Sequence, residues 1–86
     1  MPRQIIHAFA VRFSTPEMSL VYRAALLLVF GQQLLTLVNV LGECTSGPRG
    51  YECVWFVFVY VKNPQEAMNK LSASDIPVSR HLGAAS

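Results

Sequence analysis

The sequence predicts one α+β domain of order βαββαβ: a four-stranded antiparallel sheet with two helices on one of its faces. Three observations lead there. Residues 53–61 (CVWFVFVYV) form an uncharged, β-branched and aromatic run bracketed by Glu52 and Lys62 and lacking Gly, Pro and Ala. That composition and length belong to a strand. A strand–cap–Pro–Glu–helix pattern occurs twice, at residues 12–17 and 62–66, and residues 45–50 (TSGPRG) carry a strong turn signal between two apolar runs. At 86 residues there is room for a single domain, residues 1–86, and no more.

Residues 5–13 alternate as a first strand, with Ile5, His7, Phe9, Val11 and Phe13 on one face and Ile6, Ala8, Ala10 and Arg12 on the other. Ser14 or Thr15 can cap a helix, Pro16 suits its first turn, and Glu17 stands at capping-box spacing from Ser14. The helix is expected to run to about Phe30 and to stop at Gly31, a residue that takes the left-handed conformation without strain. Residues 34–44 read as a second strand and residues 53–61 as a third. Asn63, Pro64 and Glu66 then repeat the start signal of a helix. That helix ends near residues 72–75, and residues 76–78 open a fourth strand. The first and third strands are the most apolar and belong at the centre. Pro77 in the fourth and Asn39 and Thr36 in the second suit edges. This is the split βαβ, or ferredoxin-like, arrangement.

Apolar residues make up 52% of the chain and charged residues only 14%, against roughly 25% in an ordinary soluble domain. Such an excess points to burial against a second subunit, a larger protein or lipid. The net charge is +2, and the seven basic residues are scattered along the chain, which excludes a nucleic-acid interface of the usual basic kind. The N-terminus is not of signal-peptide type and the cysteines are only two, so a cytoplasmic protein is expected. The competing reading is a single transmembrane helix over residues 24–41, in an accessory subunit of a membrane complex with its N-terminus inside. The stretch between Arg23 and Glu43 carries no charge and approaches the ~20 residues such a helix needs. Gln32 and Gln33 at its middle favour a helix stop followed by a strand instead.

No paired carboxylates, Ser-His-Asp set or Gly-rich phosphate loop is present, so no enzyme activity and no catalytic residue are expected. Glu17, Glu43, Glu52, Glu66 and Asp75 are isolated. His7, His81 and the two cysteines lack the paired spacing of a structural zinc site, and neither a metal nor another cofactor is expected. If residues 47–50 form a four-residue turn, Cys44 stands opposite Cys53. We expect two reduced thiols there; the same register permits a cross-strand disulfide that would act as a redox latch. It also places Val40 and Val38 with Val57 and Val59 on one face. Leu41, Asn39 and Leu37 join Phe56, Phe58 and Tyr60 on the other. The valine face suits packing under the helices. The second face would expose more apolar surface than a monomer normally carries, so Phe56, Phe58, Tyr60, Leu37, Asn39 and Leu41 are the candidate interface with a second copy or a larger partner.

Ser19-Leu20 through Ala25-Leu26, the hairpin GPRGYECVWFVFVYV, and Asn63-Pro64-Gln65-Glu66-Ala67 leading into Asp75-Ile76-Pro77-Val78 together resemble an ACT domain, from about Gln4 to Arg80. The resemblance implies a small βαββαβ regulatory module that oligomerises and can sense a ligand such as an amino acid. The turn into the first helix reads Thr15-Pro16-Glu17-Met18, without the family's Pro-Gly. What carries over is therefore chiefly fold and oligomerisation.

Overall fold

In the computed structural model, which describes residues 3–80, the elements run β1 (Ile5–Phe13), α1 (Pro16–Gly31), β2 (Thr36–Gly47), β3 (Gly50–Val61), α2 (Pro64–Ala73) and β4 (Val78–Arg80). The sheet is antiparallel throughout, in the order β2-β3-β1-β4, so β1 and β3 lie inside and β2 and β4 at the edges. Pro77 falls just before the short edge strand β4, where its missing N–H removes no ladder bond. His81 lies outside the described residues.

Period-2 alternation decides which side is the core. Phe9, Val11 and Phe13 of β1 and Cys53, Val57, Val59 and Val61 of β3 are buried in one cluster. Leu26 and Val29 of α1, Ala67 and Leu71 of α2, and Leu35 and Ile76 complete it. Both helices therefore cover the same sheet face. Full burial of a side chain such as Phe9, Val57 or Leu71 contributes roughly 1.5–3 kcal/mol.

The helix ends share one device. Gln33 and Asp75, both at φ 60°, take the left-handed position after α1 and α2. The Leu34 N–H then reaches the Val29 carbonyl and the Gln33 N–H that of Phe30, each at 3.1 Å; the Ile76 N–H reaches Leu71 at 3.1 Å and the Asp75 N–H reaches Ser72 at 3.0 Å. These are Schellman closures, which satisfy carbonyls the helix end would orphan. Gly31, expected as the stop, is instead the last helical residue. At the helix starts, Asn63 Oδ1 accepts from the Gln65 N–H at 2.9 Å, whereas Thr15 caps α1 with no side-chain bond. Glu66 does not complete a capping box. Its carboxylate takes a 2.8 Å bond from Lys70 Nζ, which also donates to the Leu34 carbonyl at 2.8 Å and so ties α2 to the turn after α1.

The membrane-span alternative does not hold for the described residues: none of their helices is long and apolar enough to cross a membrane. Residues 24–41 are split between the second half of α1, the turn at Gln32 and Gln33, and the start of β2. The two glutamines leave the helix where a membrane span would have to continue.

Candidate functional site

The sheet face opposite the helices is built from the other parity of each strand. Direct partners in an antiparallel ladder share a face, so Ile6↔Tyr60, Ala8↔Phe58, Ala10↔Phe56 and Arg12↔Val54 define it on β1 and β3. Asn39↔Phe58, Leu41↔Phe56 and Glu43↔Val54 extend it onto β2. The small Ala8 and Ala10 are buried between larger neighbours, Phe56 and Phe58 are half-buried, and Tyr60, Leu41 and Ile6 are 42%, 52% and 44% exposed. The result is a shallow apolar surface centred on Phe58. Its charges lie toward the hairpin end, Arg12 and Glu43 in one row and Glu52 in the next.

Five of the six residues named from the sequence lie on this surface; Leu37 does not. A bulge at Val38 shifts the register between Leu37 and Asn39, so Leu37 opposes Val59 rather than Tyr60 and lies on the helix side. One extra residue inverts the facing of everything before it. The bulge also takes Val38 out of its expected place beside Val59. Asn39 does more than line the face. Its Oδ1 accepts a 2.8 Å bond from the Val40 N–H, binding its own backbone beside the bulge. Thr36 occupies the place opposite Tyr60 that had been expected for Leu37.

Cys44 and Cys53 are joined by a disulfide, with Cα atoms 4.1 Å apart, in place of the reduced pair expected from the sequence. The register permits it: Pro48 and Arg49 form a two-residue loop between Gly47 and Gly50, which sets the two cysteines directly opposite at the close spacing of a non-hydrogen-bonded pair. Gly50 has φ +100°, a conformation that a side chain would strain. Cys53 is buried against the core and Cys44 is exposed, with the Tyr51 hydroxyl 3.6 Å from its sulfur. The bridge stands where β1 ends, at the Phe13↔Cys53 pair, and beyond it the hairpin extends alone.

His7 is buried on the helix side, and its Nε2 has no hydrogen-bond partner among the described residues. Among the described residues no group of three His, Cys, Asp or Glu side chains is placed to hold a metal. A concavity of about 650 Å³ at the hairpin tip has Arg12, Arg49 and Glu52 among its lining residues.

Comparison with known proteins finds no family model, no curated protein and no solved structure that matches this chain.

Proposed function

We propose that the chain is a small, non-enzymatic, ferredoxin-like interaction module that binds a second copy of itself through the open face of its sheet. The observation that carries the reading is the placement of both helices on one side, which leaves Tyr60, Leu41, Ile6 and Phe58 facing away from the core. The order βαββαβ with β1 and β3 inside supports the ferredoxin-like part, and the regulatory role of ACT-like modules would follow from assembly of this kind.

Size and charge favour a second copy as the occupant. Three strands paired over nine residues and the three-residue β4, at ~3.3 Å rise and ~4.8 Å spacing, give a face of roughly 480 Å². That is a little over half of the ~800 Å² each partner gives to a standard interface. The face is also self-complementary in charge: a two-fold axis along the strands brings Arg12 of one copy toward Glu43 of the other.

Aspartate substitutions on each side of the molecule test the assignment. Phe58→Asp is expected to sediment as a monomer with an unchanged circular dichroism spectrum. Leu28→Asp, on the exposed surface of α1, is expected to remain a dimer. A Phe58→Asp protein that still dimerises would remove the sheet face from the interface.

A further inference from the structure

On the helix side of the sheet lies a groove of about 350 Å³ between α1 and the β2–β3 ladder. Its α1 wall is Arg23, Leu26, Leu27 and Phe30, residues that share one helix face. Its floor is Leu37, Val40 and Gly42 of β2 and Trp55 of β3. Leu27, Leu37 and Val40 remain exposed although they face one another across it, so α1 stands off this part of the sheet.

Two backbone features shape the floor. The bulge at Val38 is what turns Leu37 into the groove, and bulges recur where a strand re-aims side chains at a site. Gly42 lies against Trp55: a Cβ there would meet Trp55 Cδ1 at 3.2 Å, so a larger residue would displace the indole or fill the groove. The polar groups gather at one end. Tyr22 packs edge-on to Phe13 at 5.8 Å and Phe13 to Trp55 at 4.9 Å, which sets the first half of α1 beside the indole. Arg23 has no ion-pair partner, and Trp55 Nε1–H no hydrogen-bond acceptor, among the described residues. Phe30 and Leu37 close the opposite end, which carries no charged residue and adjoins Gln33 and Thr36 of the turn that joins α1 to β2.

We infer that this groove binds a medium-chain monocarboxylate. An apolar trough with a guanidinium and an indole N–H at one end matches an alkyl chain ending in an anion. A cation would meet Arg23, and a neutral chain would leave its charge unanswered. From Arg23 to Phe30 the helix advances about 10 Å, the reach of a medium-chain acyl group and too short for a long lipid tail. The groove lies on the opposite side of the sheet from the proposed dimer face, so the two assignments stand or fall separately.

Trp55 is the single tryptophan of the chain, so its emission reports directly on the groove. Octanoate titrated into the full chain is expected to shift that emission saturably. Octanol and octyltrimethylammonium are expected to bind about tenfold more weakly or worse. Arg23→Met should weaken octanoate by about tenfold and leave octanol unchanged, with an unaltered circular dichroism spectrum because Arg23 is exposed. Phe58→Asp should bind octanoate as the unmodified chain does. The proposal is overturned if octanoate gives no saturable change up to its solubility limit, if the three probes bind equally, or if Arg23→Met binds octanoate undiminished.

Discussion

Breaking the Cys44–Cys53 bridge should cost this domain a large part of its stability. The two residues are nine apart, and closing a loop of that size removes about 9 cal/mol/K from the unfolded chain, or about 2.6 kcal/mol at 25 °C. A domain of 86 residues is expected to hold roughly 4–13 kcal/mol in all. The folded state offsets little of the loss. Cys53 stays buried as a small thiol, and the Gly47–Gly50 loop keeps the register. Urea unfolding of the oxidised chain with and without a phosphine reductant measures the effect. Taking a slope of about 1 kcal/mol/M for so small a protein, the midpoint should fall by about 2.6 M on reduction. The melting temperature should fall by about 10–20 °C. The double variant Cys44→Ala/Cys53→Ala should match the reduced protein and ignore the reductant. Two results would refute the reasoning: free thiols in the air-oxidised, denatured chain, or a bridged chain whose midpoint moves by less than about 0.3 M on reduction.

Two glycines should respond in opposite directions to alanine: Gly50→Ala, at φ +100°, should destabilise by about 1 kcal/mol or more, whereas Gly31→Ala, helical and with nothing near its added methyl, should stabilise by about 0.5–1 kcal/mol. Urea midpoints of the pair check both signs. Asn63→Ala removes the bond to the Gln65 N–H and should cost about 1 kcal/mol in the same assay. His7→Leu replaces a buried, unpartnered ring nitrogen with apolar volume and should leave stability unchanged or raise it, since an unsatisfied buried polar group costs about 1–3 kcal/mol; a fall of more than about 1 kcal/mol in thermal unfolding would mean that His7 does satisfy a partner.

The residues that declared themselves in the sequence did so by alternation. Ile5–Phe13 has one parity of Ile, His, Phe, Val and Phe and another of Ile, two Ala and Arg, and it forms a strand with those same bounds and faces. The Cys53-to-Val61 run is apolar on both parities, and both are used: one under the helices, the other on the open face. What escaped was backbone conformation without a glycine to mark it. Gln33 and Asp75 take left-handed positions on the strength of the carbonyl bonds their neighbours make. The bulge at Val38 has no Gly or Pro beside it, and its only local signature is the Asn39 side chain bonded to the next N–H. That single unmarked residue moved Leu37 from the candidate interface to the groove. The disulfide was half legible: the turn at Pro48 and Arg49 placed the cysteines opposite one another, but spacing alone does not state their oxidation.

The central claim is that the open sheet face is an interface between copies, and the mass of the unmodified chain in solution tests it most directly. Sedimentation equilibrium of the oxidised protein across the micromolar range should return twice the 9.5 kDa chain mass, with dissociation on dilution shared by no larger species. A constant 9.5 kDa over that range, from a chain with native circular dichroism, would contradict the account.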